Sequence, residues 1–173
     1  MRRKKNKSKQ WIIIVILILI IITCVSIIGT LLLKRELTPD YAPGVIDPNA
    51  VPLPEDGEKL EPSEGGGAVS LSFSDDIAVN LESKEIKLYF QNPSKSTEDM
   101  VLQIIITKND KDVIIGQSER IPAGYAIYKM KLLDSVKLQK GGYDGKINIL
   151  YYNTQTEEKA MVNTNIPVTI AVE

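Results

Sequence analysis

The sequence predicts an all-β sandwich of seven to eight strands, preceded by one transmembrane helix and a disordered linker. Three observations lead to this prediction. Apolar and polar side chains alternate with a period of two over residues 68–173, residues 11–33 form an uncharged and almost wholly aliphatic run, and residues 34–67 are rich in proline, glycine and acidic side chains. These changes in composition divide the chain into segments 1–10, 11–33, 34–67 and 68–173.

The apolar run 11–33 is long enough for a helix of roughly 34 Å, which would cross a hydrocarbon core of about 30 Å. Six basic residues precede the run, no acidic residue does, and two basic residues follow it; the six are Arg2, Arg3, Lys4, Lys5, Lys7 and Lys9. Because basic residues resist translocation, we expect a cell-membrane protein with a cytoplasmic N-terminus, an extracytoplasmic C-terminal domain, and Trp11 at the membrane interface. A cleaved signal peptide usually has a shorter apolar core. Cys24, inside the run, is interpreted as a membrane-buried thiol.

Charge and cysteine usage narrow the role of the remaining chain. Residues 36–173 carry 13 basic and 22 acidic side chains, a net charge of −9, which argues against a nucleic-acid partner. This part has no cysteine, so no disulfide can stabilise it. The absence of cysteine is common among exported proteins of Gram-positive bacteria. The segment 34–67 holds six of the nine prolines and little apolar material, and is therefore predicted to be an extended, disordered spacer.

The alternation after residue 68 predicts strands separated by turns. Asn92-Pro93-Ser94 and the polar cluster 109–112 indicate turns, and Pro167 indicates a break, a bulge or a sheet edge. The predicted strands cover residues 69–73, 77–81, 86–91, 100–107, 113–117, 125–132, 146–152 and 160–172.

The segment LQKGGYDG, residues 138–145, precedes the strand KINILYY. It resembles the tyrosine corner of immunoglobulin-like and fibronectin type III domains, in which a tyrosine entering the sixth strand bonds back to the preceding loop. The resemblance implies an immunoglobulin-like sandwich over residues 68–173, with Tyr143 as the corner residue. The segments NPSKSTEDM and GGYDG are also similar to segments of small membrane-anchored exoproteins of Gram-positive bacteria. Neither resemblance implies an activity.

The chain lacks the residues that most catalytic and metal sites need. It contains no histidine, its single cysteine lies in the apolar run, and no Ser-x-x-Lys motif occurs. Adjacent carboxylates such as Glu98-Asp99 lie next to predicted turns, where solvated acidic groups are ordinary. A calcium site at Asp110 and Asp112 is less economical than a hairpin turn. We therefore expect a protein that is not an enzyme and has no cofactor and no bound metal.

Binding is the remaining class of function. If Tyr143 sets the register, an outer-face patch is predicted on two paired strands, formed by Val101, Ile105, Leu150 and Tyr152. Two alternatives stay open for this patch: the linker or a loop covers it, or the register is shifted by one residue. The predicted function is a membrane-anchored protein-interaction or assembly module in an envelope machine for secretion or conjugation. The alternative is a module that binds peptidoglycan, which a platform of two coplanar exposed tyrosines would favour.

Overall fold

The computed structural model of the protein describes residues 11–21, 23, 38–55, 57–61, 66–108 and 111–173. The chain forms two compact units, Met1–Leu37 and Thr38–Glu173. The second unit begins well before residue 68, where the alternating pattern begins.

In the first unit, residues 11–21 and 23 are helical. The Thr23 hydroxyl donates hydrogen bonds to the carbonyl oxygens of Leu19 and Ile20, at 2.9 and 2.8 Å. No helix found within the described residues has both the length and the apolar character needed to span a membrane. The basic tail, Cys24 and most of the second half of the predicted span lie outside the described residues.

The described part of the second unit contains nine strands, of which eight overlap the strands predicted from side-chain alternation. The additional strand, β1, falls inside the predicted linker. The strands are β1 (Val51–Pro52), β2 (Ser72–Phe73), β3 (Asp76–Asn80), β4 (Glu85–Asn92), β5 (Glu98–Lys108), β6 (Lys111–Gln117), β7 (Tyr125–Lys131), β8 (Gly141–Asn153) and β9 (Lys159–Val172).

Hydrogen bonding links these strands in the order β1-β7-β4-β3-β9-β8-β5-β6, with β2 also paired to β4. All the pairs are antiparallel except β3 with β9, which is parallel. The long strands β8 and β9 let the sheet fold over itself, so that β7, β4 and β3 face β5, β6 and β8 across one apolar core. The architecture is therefore an immunoglobulin-like β-sandwich.

The core follows from the alternation along each strand. In β4 the side chains of Ile86, Leu88 and Phe90 point inward and are buried, while the residues between them are more exposed. They pack with inward side chains from the opposite layer, including Ile104 and Ile149, both fully buried. Neighbouring side chains of β5 are buried on both faces of the sheet, which alternation alone does not predict.

Tyr143 lies in β8 at the corner that the sequence predicts. Its hydroxyl donates a hydrogen bond to the carbonyl oxygen of Gln139 at 3.1 Å and accepts one from the Gln139 N–H at 3.2 Å. Both bonds are solvent-exposed rather than buried, because the Tyr143 side chain is only partly covered. Exposure lowers the energy expected from this corner.

Segment 34–67 was predicted to be a disordered linker, but most of its described residues are part of the folded second unit. Residues 38–53, here called the N-terminal strap, lie on the sandwich as part of the second unit. Val51 pairs with Ala126 in β7, and the Leu53 N–H donates to the Gly124 carbonyl oxygen at 2.7 Å. Disorder was predicted because the segment has few apolar side chains. The strap is instead held to the sandwich largely by backbone hydrogen bonds, which amino-acid composition does not reveal.

Candidate interaction surfaces

The outer-face patch is the first candidate surface. Strands β5 and β8 pair as predicted, with Val101 directly opposite Leu150, and this register is confirmed. The patch itself is not a free surface, however. Val101, Leu150 and Tyr152 are fully buried, and Ile105 is only 7% exposed. The prediction that these four side chains dock a partner is therefore wrong for the chain in this conformation, and the alternative of a covered patch applies.

The N-terminal strap provides much of that cover. Ala42 packs in one apolar cluster with Val101, Leu150 and Tyr152. The Tyr152 hydroxyl donates to the Pro39 carbonyl oxygen at 3.0 Å. Burial, followed by the nearby Asp40 carboxylate, raises the pKa of Tyr152 to about 12. This hydroxyl therefore stays protonated as a donor at physiological pH.

Asp47 fixes the middle of the strap. Its side chain is buried, and its carboxylate accepts hydrogen bonds from the Glu119 N–H at 2.9 Å and from the Asn49 N–H at 2.8 Å. The Asp47 N–H in turn donates to the Arg120 carbonyl oxygen at 2.8 Å, and the Arg120 N–H donates to the Val45 carbonyl oxygen at 3.2 Å. Hydrogen bonds from both the side chain and the backbone of the strap thus hold it to the segment that connects β6 and β7.

A second group of carboxylates lies where β5 begins. Glu98 and Asp99, expected to be solvated turn residues, are each only 7% exposed. Burial raises the pKa of Glu98, with a further contribution from Asp99, and burial is also the main cause of the raised pKa of Asp99. The Arg120 guanidinium lies 3.8 Å from Asp99 and 3.3 Å from Glu157, so one cation links strand β5 to the β8–β9 turn.

The third candidate is the first half of β9, where the strand is irregular. The register with β8 shifts between the pairs Leu150–Asn163 and Tyr152–Lys159, so that β9 has two extra residues there. Met161 is fully exposed and Val162 is 69% exposed at this bulge. Bulges of this kind are frequent at sheet edges, where they redirect side chains.

An open groove of about 910 Å³ adjoins the same strand. Its walls come from β3, β4, β8 and β9, and small residues such as Ala78, Ala171 and Gly145 line it. Three carboxylates also line it, together with one cation; these are Asp75, Asp76, Asp144 and Lys87. Among the described residues, none of these four side chains forms a salt bridge. The groove is therefore predominantly acidic.

Among the described residues that line this groove, Tyr89 is the one aromatic side chain, and it forms no flat platform with its neighbour Tyr128. The rings of Tyr89 and Tyr128 are neighbours, with centroids 5.8 Å apart, but their planes are inclined by 50°. Two coplanar tyrosines were the feature expected to favour sugar binding, and this pair is tilted instead.

A calcium site at Asp110 and Asp112 was judged less economical than a hairpin turn, and only Asp112 of the two belongs to the described residues. Asp112 accepts a hydrogen bond from Lys146 Nζ at 2.6 Å, and this contact, the largest cause, lowers the Asp112 pKa. Asp110 lies outside the described residues. Within the described residues, no group of three or more histidine, cysteine, aspartate or glutamate side chains could hold a metal ion.

Comparisons with known proteins found matches among solved structures alone. No protein-family model matches the chain, and no curated protein matches it. One similar structure is the YadV chaperone, 15% identical over 61% of this chain and 52% of that chain, with a TM-score of 0.37. Another is the CsuC–CsuE chaperone–tip adhesion subunit pre-assembly complex of archaic chaperone-usher Csu pili from Acinetobacter baumannii, 15% identical over 61% and 57%, with a TM-score of 0.36.

A third similar structure is AggA, the major subunit of aggregative adherence fimbriae type I from Escherichia coli. It is 9% identical over 66% of this chain and 100% of that chain, with a TM-score of 0.33. The present chain spans about half the length of the YadV chaperone. At these identities and TM-scores, none of the similar structures indicates a function for this chain.

Sequence reasoning placed β9 correctly but missed its exposed bulge. The segment Ala160-Met161-Val162 interrupts strict alternation, and Pro167 was already expected to mark a break, a bulge or an edge. Together these two irregularities could have indicated the edge. The residues that the sequence singled out for membrane orientation lie outside the described residues, except for Trp11, which is helical and exposed.

Proposed function

We propose that this chain is a single-pass membrane protein whose immunoglobulin-like sandwich works outside the cytoplasm as a non-enzymatic protein-interaction or assembly module. Anchoring is supported by the apolar run 11–33 and by the basic tail that precedes it. The machine served by the module is an envelope apparatus for secretion or conjugation.

The observation that carries the interaction role is the exposed bulge in β9. Met161 and Val162 present adjacent apolar side chains to solvent on a strand whose other apolar residues are mostly turned to the core. Adjacent exposed apolar residues mark binding surfaces more often than single ones do, and flexible methionine side chains suit protein interfaces. A fixed, solvent-facing apolar pair favours protein binding over catalysis.

Topology is tested by cysteine labelling in native membranes. Cys24 is replaced by serine, and a single cysteine is introduced either at Ser8 or at Thr156. A maleimide that cannot cross membranes should label Thr156→Cys in intact cells and Ser8→Cys only after the cells are permeabilised. Labelling of Ser8→Cys in intact cells would contradict the proposed orientation.

The interaction role is tested by crosslinking and co-purification of the full-length protein from its own membranes. The parent is compared with the double variant Met161→Ser, Val162→Ser, which removes exposed apolar surface without touching the core. A specific protein captured by the parent and lost from the variant would support the proposal. Equal capture would exclude the bulge as the interface, and recovery of wall fragments alone would favour the peptidoglycan-binding alternative.

A further inference from the structure

Strand β9 pairs with β8 along one side of its backbone, and on the other side its C-terminal end pairs with β3. The Glu173 N–H donates to the Val79 carbonyl oxygen at 2.9 Å, and the Glu173 carbonyl oxygen accepts from the Leu81 N–H at 3.1 Å. Backbone groups in a strand point alternately to its two sides, so every second residue before Glu173 faces the same way. Pairing with β3 stops at Thr169, whose partner Asp76 is the first residue of β3.

The same side of β9 is paired again at its other end. The Lys159 N–H donates to the Asp40 carbonyl oxygen of the strap at 2.8 Å. Between these two contacts lies the segment 160–167, here called the β9 gap. Among the described residues, no backbone hydrogen bond reaches the outward-facing groups of Asn163 and Asn165 from this side. At about 3.3 Å per residue, and with the two extra residues of the bulge left out, the gap is roughly 20 Å long.

The β9 gap lacks most of the features that protect exposed sheet edges. Such edges usually carry charged side chains or prolines that prevent another strand from adding. Residues 160–166, AMVNTNI, contain neither, and Pro167 blocks only the end at which β3 takes over. Two apolar side chains, Met161 and Val162, lie exposed at the start of the gap. Within the part of the chain that the structure describes, this edge is thus unpaired, and it is uncharged and partly apolar.

The surroundings of the gap indicate the charge of its occupant. The acidic groove adjoins the gap, since Pro167, the last residue of the gap, also lines the groove. Its carboxylates, Asp75, Asp76 and Asp144, outnumber its single cation, Lys87. The chain after residue 35 also has a net charge of −9, which opposes the approach of a second copy or of an acidic segment. A basic segment is electrostatically complementary to this site.

We infer that the β9 gap accepts an extended, basic segment of a partner protein as an added strand, with its basic side chains over the acidic groove. Backbone hydrogen bonds to Asn163 and Asn165 provide affinity, and contacts with Met161, Val162 and the groove provide selectivity. This inference rests on the proposed role in protein interaction and identifies the surface that performs it. An occupant of this kind would complete the sheet between the strap and β3.

The test uses the full-length protein in detergent micelles and the synthetic peptide KVTVKVTK as the probe, with EVTVEVTE as its charge-reversed twin. Hydrogen–deuterium exchange is measured at the amides of Asn163 and Asn165. The basic peptide should slow exchange at both amides, and the acidic twin should not. Absence of protection with the basic peptide, or equal protection with both peptides, would overturn the inference.

A proline substitution separates strand addition from contact with side chains. Asn165→Pro removes one outward N–H without removing a bond to β8, and Pro167 already occupies the equivalent position two residues further on. The substitution should weaken binding of KVTVKVTK about tenfold, as expected from the loss of one backbone hydrogen bond. Asn165→Ala keeps the N–H and should bind like the parent. Equal affinity of the proline variant and the parent would contradict an added strand.

Two further results distinguish this inference from the proposed function. If the partner captured from native membranes is still captured by Asn165→Pro, the protein-interaction role stands and the inference about the β9 gap is wrong. If neither parent nor variant captures a partner but KVTVKVTK protects the two amides, the gap binds strands and the proposed role fails.

Sedimentation that shows a parent dimer abolished by Asn165→Pro would identify a second copy as the occupant and exclude the basic segment.

Discussion

The strap should be an integral part of the sandwich, and Asp47→Ala tests this most directly. The Asp47 carboxylate is 5% exposed and accepts hydrogen bonds from the backbone N–H groups of Glu119 and Asn49. A hydrogen bond to a charged acceptor contributes about 1.5–3 kcal/mol, and the two bonds share one side chain, so we expect a loss of about 2–3 kcal/mol in the free energy of unfolding. That is a large fraction of the stability of an ordinary domain.

The assay is urea unfolding of the full-length protein in detergent micelles, followed by hydrogen–deuterium exchange of the native state. Asp47→Asn is the matched control, because its carboxamide oxygen keeps one acceptor and should cost about half as much. In Asp47→Ala the amides of Ala42 and Lys159, which bond across the strap, should exchange faster. An unfolding free energy and an exchange pattern both equal to those of the parent would refute the conclusion that Asp47 holds the strap to the domain.

Three further results are expected from urea unfolding of the same preparation. Tyr143→Phe should lower the free energy of unfolding by about 0.5–1 kcal/mol, because its corner hydrogen bonds are exposed; a loss above about 2 kcal/mol would contradict this. Gly145→Ala should lower the free energy of unfolding by about 1–3 kcal/mol, because a β-carbon there would collide with the Ile105 carbonyl oxygen. A stability equal to the parent's would show that β5 and β8 move apart at this point without cost. Glu98 and Asp99 have raised pKa values in the folded state, so the folded protein binds more protons and their contribution to stability increases as pH falls from neutral towards the ordinary carboxyl range. Glu98→Gln should flatten this pH dependence, and an unchanged slope would contradict the assignment.

Much of the sandwich was predictable because side-chain alternation reports directly which face of a strand is buried. The strand containing Ile86, Leu88 and Phe90 follows from period-two patterning. The placement of Val101 and Leu150 on one face of two paired strands follows from the same patterning and from the immunoglobulin-type strand order that the resemblance at Tyr143 implies. Periodicity does not say what lies above an outer face. The same pattern that correctly placed the outer-face patch on one surface therefore left open whether it was exposed.

The sequence by itself determined the sandwich class, the strand positions, the corner at Tyr143 and the apolar run 11–33, because each depends on local order and composition. The tertiary structure alone decided that the strap covers the outer-face patch, that Glu98 and Asp99 are buried, and that part of β9 has no strand partner among the described residues. These features depend on backbone hydrogen bonds between segments far apart in the chain. Since every residue except proline carries the same backbone donor and acceptor, side-chain pattern cannot show where such bonds form or where they stop.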